Sequence, residues 1–152
     1  MRFIVVAGLM VAAACVHAGD GSMRGLNPIV VLVEEIPAAG KGCGVTREGI
    51  RGVAEGTLAE SPLKLVKTVT EVKAYLYIQV NVIAVRDTCM SNIYASFRTA
   101  TSVQENNQLT IAGIWNENMI GAAWPNEAQG KVHSAVERLT RKLIDKWSSD
   151  NP

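Results

Sequence analysis

Histidine, aromatic side chains and charge of one sign are all scarce in this 152-residue chain. It holds two His, three Trp, three Tyr and two Phe, and its 15 Lys plus Arg face 14 Asp plus Glu, for a formal charge of +1. A chain so close to neutral lacks the cationic footprint of a nucleic-acid binder. One of the two histidines, His17, lies in the leader, so His133 is the one left to the folded domain. A single His cannot supply a zinc site with normal ligand numbers, and it weakens any Ser-His-Asp or Cys-His arrangement. His133, beside Lys131, reads as a surface residue on the polar side of the last helix. Long apolar runs are missing too. The longest, residues 3–15, covers about 20 Å as a helix, short of a hydrocarbon core of roughly 30 Å. No transmembrane segment, metal, cofactor or catalytic set is expected, and the chain reads as a non-enzyme.

What is present at the start has the form of an export signal. Met1-Arg2 precedes the apolar run, and Val16-His17-Ala18 is a small-x-small cleavage pattern, so residues 1–18 read as a signal peptide. Lipidation at Cys15 is the alternative: Ala12-Ala13-Ala14-Cys15 has the small residues of a lipobox without its usual Leu. Removing 18 of 152 residues leaves 134, enough for one domain with a proper core. It also removes Arg2, which takes the charge from +1 to 0. The expected location is therefore periplasmic or secreted, or the outer membrane if Cys15 carries lipid. Cys43 and Cys89 remain, 46 residues apart. In an oxidising compartment an even pair is read first as a disulfide, and closing such a loop is worth roughly 4 kcal/mol in loop entropy.

Along the chain, residues 19–27 are rich in Gly with Ser and Asn and read as a flexible lead-in to a single domain over 28–148, with 149–152 as a frayed tail. Residues 29–33, Ile-Val-Val-Leu-Val, are apolar and mostly β-branched, the composition of a buried strand. The stretch 37–44 breaks it. Thr46 is a candidate N-cap for a helix whose Ile50, Val53, Ala54, Thr57 and Leu58 share one stripe. Gly49, Gly52 and Gly56 weaken that helix unless they admit a close neighbour. From residue 74 the period becomes two. Leu76, Ile78, Val80, Val82 and Ala84 fall on one face, Tyr75, Tyr77, Gln79 and Asn81 on the other. A polar turn over 86–92 leads to a second alternating strand over 93–103. Another turn leads to Leu109, Ile111, Gly113 and Trp115, read as one face of a third. Residues 63–72 fit either a separate short strand or an extension of the second. The last helix, 127–147, carries Val132, Ala135, Val136, Leu139, Leu143 and Trp147 at helical spacing, with Glu137 and Arg141 as an i,i+4 pair.

The order β-α-β-β-β-α specifies an α+β fold: a four-stranded, mostly antiparallel sheet with two helices on one face. The uncovered face carries Tyr75, Tyr77, Gln79 and Asn81, an amphipathic mixture suited to an interface, although cross-strand packing is the more ordinary use for the tyrosines. Gly40-Lys41-Gly42-Cys43-Gly44 sits where phosphate loops occur but matches no phosphate-loop pattern, and reads as a loop shaped by the disulfide. Glu34 and Glu35 are adjacent on a strand end and point to opposite faces, which disfavours joint acid–base work. Lys131, Arg138, Arg141, Lys142 and Lys146 give the last helix a basic side, with Arg138 and Arg141 as a second candidate contact surface.

The strand at 29–33, the helix from Thr46, the run 74–85 with its hairpin, and the closing helix to Trp147 resemble small accessory domains of the Gram-negative envelope. Among these are the amino-terminal domain of the Tol-system periplasmic protein and the curli-secretion and lipopolysaccharide-assembly lipoproteins. The resemblance is one of pattern and transfers no functional residue; the Cys43/Cys89 pair and the poor lipobox depart from it. It implies a non-enzymatic exported protein that binds a protein or envelope component, accessory to envelope assembly or secretion, as a monomer or homodimer. A secreted inhibitor or effector acting on a foreign protein is the alternative, and a small hydrolase a third.

Overall fold

A computed structural model describes residues 20–152; the leader, its cleavage site and Cys15 lie outside the described residues. The apolar run in the N-terminal half forms β1 (Ile29–Val33), buried at four of its five positions. Pro37 then leads into a short helix, α1 (Ala38–Gly42), where the sequence suggested only a break. Thr46 caps α2 (Arg47–Ala59) as expected, its Oγ1 accepting from the Gly49 N–H at 3.1 Å, and Ile50, Ala54, Thr57 and Leu58 are buried. A 3₁₀ turn at Val69–Glu71 follows. Leu65 makes only an isolated bridge to Ile29, so the 63–72 stretch is neither a full strand nor an extension of the next one.

The period-two sequence builds a meander of β2 (Ala74–Val85), β3 (Thr88–Ser102) and β4 (Leu109–Ala123), closed by α3 (Pro125–Asp150). The sheet order is β1-β2-β3-β4, with β1 parallel to β2 and the other pairs antiparallel. The fold is thus the α+β arrangement read from the sequence, with a mostly antiparallel four-stranded sheet. Packed on one face, α2 lies over β1, while α3 lies over β3 and β4 and against α2. Between the layers, Leu76, Ile78, Val80, Ile93, Phe97, Leu139 and Leu143 are all but inaccessible. That face of the sheet and one stripe of each helix make a single core.

Three details differ from the sequence reading. The turn between β2 and β3 is only Arg86-Asp87, with Arg86 at φ 53°, so Cys89 lies in a strand rather than in a long polar turn. β4 runs eight residues past Trp115. A bulge also interrupts the β3–β4 ladder between Phe97 and Arg98, whose partners are Trp115 and Gly113. The extra residue, Ile114, reverses the phase of β4: Leu109, Ile111 and Gly113 share the side of Arg98, while Trp115 joins Phe97 on the core side.

Both ends of the described chain are tied down. Asp150 is buried, and it accepts from the Met23 N–H at 2.9 Å, the Gly21 N–H at 3.2 Å and the Lys146 ammonium at 2.9 Å. The Trp147 indole N–H donates to the Leu26 carbonyl. Residues 20–27, whose composition suggested a flexible lead-in, therefore lie along the end of α3, with Met23 fully enclosed. Cys43 and Cys89 are joined in a disulfide with their Cα atoms 6.2 Å apart, pinning the end of α1 to the start of β3.

Candidate functional site

Because both long helices cover one face, the opposite face of the sheet has no layer over it. Tyr75, Tyr77, Gln79 and Asn81 lie on this open face as the alternation requires. The register sets Tyr77 across from Ser96, Gln79 across from Tyr94, and Asn81 across from Asn92. The tyrosines are half-buried rather than projecting. The Arg98 guanidinium sits 3.6 Å from the centre of the Tyr77 ring, a cation–π contact, and the Tyr77 hydroxyl donates to the Glu34 carboxylate. Burial, with the Glu34 carboxylate in support, pushes the Tyr77 phenol above its ordinary value, against the opposing charge of Arg98. Tyr77 is thus committed to intramolecular contacts.

The open face changes character along its length. Beyond Asn81 it carries Ile83 and Val85 on β2, Met90 on β3, and Ile120 with Ala122 on β4. Ile83 is paired across from Met90, Met90 across from Ala122, and Asn92 across from Ile120. Ile83 is 56% exposed and Ile120 76%, so this end is an uncovered apolar patch. The sequence reading stopped the outer row at Asn81. The signal was present in Val82-Ile83-Ala84-Val85, where both faces become apolar at once, but Ile120 was hidden in the unassigned part of β4.

Arg138 and Arg141 do not join this face; they stand on the helix layer, on neighbouring turns of α3, and turn to different partners. Arg141 Nη2 reaches Glu137 at 2.9 Å and Glu60 at 3.1 Å, linking α3 to the end of α2, and these hydrogen bonds raise its pKa. Arg138, with Lys131, instead lines an apolar cleft between α3 and β4. His133 is not the surface residue its sequence neighbours suggested. It is half-buried against the first turn of α2, with Nε2 lacking a hydrogen-bond partner, and desolvation lowers its pKa. Gly49 makes that contact possible, since a Cβ there would stand 2.9 Å from Nε2. The Glu35 carboxylate pairs with Lys41 and Arg47 while Glu34 serves Tyr77, so the two adjacent acids act separately.

Among the described residues no group of three or more His, Cys, Asp or Glu is placed to hold a metal ion, and no helix is long and apolar enough to cross a membrane. No protein-family model matches the chain, and no curated protein matches it in sequence. Solved structures do overlay on it. A PelC dodecamer from Paraburkholderia phytofirmans is 12% identical, with 86% of this chain and 92% of that one covered at a TM-score of 0.47. Lipoprotein GNA1162 from Neisseria meningitidis is 12% identical over 78% of this chain and 99% of its own, with a TM-score of 0.39. A minor lipoprotein from Acinetobacter baumannii is 9% identical over 77% and 92%, with a TM-score of 0.30. At these values the likeness carries no function across.

Proposed function

We infer that this is an exported, non-enzymatic protein that binds a protein or envelope component through the open face of its sheet, in the service of envelope assembly or secretion. The observation that carries this is the one-sided packing: a four-stranded sheet with α2 and α3 on one face and, on the other, the contiguous exposed side chains of Ile83, Val85, Met90 and Ile120. Contiguous uncovered apolar surface of this kind marks an interaction site. The polar row from Tyr77 to Asn92 gives it the mixed rim that partner interfaces carry. Export is supported by the buried Cys43–Cys89 disulfide, a bond that persists in oxidising compartments. The non-enzymatic reading is supported by the use already made of the perturbed groups: Asp150, Lys146, Arg141 and Tyr77 each face a structural partner, and His133 faces a glycine.

The test is charge insertion into the patch. Ile83→Glu with Ile120→Glu replaces exposed side chains, so the unfolding free energy stays within about 0.5 kcal/mol of the parent. Retention of the protein in envelope fractions, or its self-association by sedimentation, is lost. A folded variant that associates as the parent does overturns the open face as the binding surface.

A further inference from the structure

The sheet has two edges of opposite character. β1 is five residues long, and its head is already taken: the Ile29 N–H donates to the Lys64 carbonyl and the Val66 N–H to the Ile29 carbonyl, with Val30 and Val31 buried. β4 is fifteen residues long and ends the sheet order, so among the described residues no strand pairs with its outer edge. Sheet edges are ordinarily guarded by Lys, Pro, an inward charge or a bulge. β4 has neither Lys nor Pro, and its single charged residue, Glu117, is neutralised by Lys142 at 2.9 Å. The bulge at Ile114 interrupts the edge near its middle and leaves residues 115–123 as an uninterrupted run.

Alongside this run lies the cleft between β4 and α3. Its walls are apolar, Met119 and Gly121 on the strand and Val132 and Ala135 on the helix, and Lys131 and Arg138 stand over it. The other three cations of α3 are all ion-paired: Arg141 to Glu60 and Glu137, Lys142 to Glu117, Lys146 to Asp20 and Asp150. Lys131 and Arg138 take part in no ion pair among the described residues. The two uncommitted cations of the helix are thus the two beside the bare edge.

We propose that the β4 edge receives an extended peptide segment of a partner protein as a fifth strand, with acidic side chains on the helix side meeting Lys131 and Arg138 and apolar side chains on the open side meeting Ile120. Strand addition supplies the backbone hydrogen bonds and alternate side chains supply the selection. Lys131 and Arg138 are seven residues apart on α3, about 10 Å along its axis. Same-side residues of a strand recur about every 7 Å, so carboxylates at alternate positions span the pair. Charge is also what disfavours a second copy of this chain there. Two β4 edges joined about a two-fold axis would bring four such cations, both copies' Lys131 and Arg138, to one seam, where the carboxylates alongside are Glu127, beside Lys131 at the end of β4, and Glu117, already paired with Lys142.

The surface shares only Ile120 with the open-face patch, and the inference does not depend on that patch binding anything. The test uses the purified protein and a fluorescent short peptide alternating Glu and Val, with two controls: the same peptide with Lys for Glu, and the Glu–Val peptide N-methylated at alternate backbone amides. Fluorescence anisotropy should show the Glu–Val peptide bound, with both controls weaker by about tenfold or more, and affinity falling as salt rises. Lys131→Glu with Arg138→Glu should reverse the preference to the Lys peptide at unchanged unfolding midpoint, and Ile83→Glu should leave it untouched. Equal binding of the Glu and Lys peptides overturns the proposal, as does insensitivity to N-methylation. Dimerisation through β4–β4 crosslinks in the absence of peptide overturns it as well, and the N-methyl comparison stands even where the double variant fails to fold.

Discussion

Asp150, two residues from the end of the described chain, accepts a hydrogen bond from the Met23 backbone N–H at 2.9 Å, so the start and the end of the described chain close on each other. Its side chain is fully enclosed, and its two oxygens accept from the Gly21 and Met23 amides, the Ser22 hydroxyl and the Lys146 ammonium. Burial alone would raise its pKa; the Lys146 hydrogen bond and the two amides overcome that and hold it below the usual carboxylate range.

The sign of the resulting pH dependence follows. A carboxyl with a depressed folded-state pKa stabilises the fold above its ordinary value of 3.8, and that stabilisation is lost as pH falls through the folded value. Asp150→Asn should cost about 2 kcal/mol at neutral pH and flatten the acid limb of stability below pH 3.8. Urea midpoints measured across the acid range check both. A variant as acid-sensitive as the parent would show that other carboxylates govern the limb.

Three glycines of α2 separate by sign. Gly52 and Gly56 face open space, and Ala at either should stabilise by up to about 1 kcal/mol through helix propensity. A Cβ at Gly49 meets both His133 Nε2 and Thr46 Oγ1 at 2.9 Å, so Gly49→Ala should instead destabilise by about 1–2 kcal/mol. Removing the imidazole, as Gly49→Ala with His133→Ala, should recover part of that loss. Chemical denaturation of the four variants decides it, and a stabilising Gly49→Ala would refute the close approach.

Reduction acts on both layers at once. Cys43 and Cys89 are buried, and they join the end of α1 to β3 across a separation of 46 residues. Replacing both with Ala should lower stability by about 4 kcal/mol in loop entropy, and non-reducing peptide mapping should recover a single Cys43–Cys89 linked peptide. Two free thiols per chain in freshly exported protein would contradict the pairing.

Much of this architecture is legible in the residues because its signals are local. The stripe from Val132 to Trp147, the Thr46 cap and the alternation from Ala74 each declare an element within a few turns or residues. β4 is not local in that sense. Its core side reads Trp115, Glu117, Met119, Gly121, Ala123, in which a charge and a glycine erase the apolar alternation, and Ile114 shifts the phase ahead of them. The ordering of residues 20–27 is equally hidden, since glycine-rich composition is silent about an acceptor 127 positions away. At the candidate surfaces, the row from Tyr75 to Asn81 could be placed by counting in twos. The exposed Ile83–Met90 pair required the two-residue turn, and the separation of Arg138 from Arg141 required the two neighbours of α3.

The partly covered edge of β1 sets a limit on what the bare edge of β4 can do. A sheet that grows without end must offer a free side to each newcomer, and here the head of β1, at Ile29, is already taken by the chain's own residues 64–66. β1, five residues long and already bridged at Ile29, is a poor template for a further strand, so a strand laid on β4 has little to propagate through.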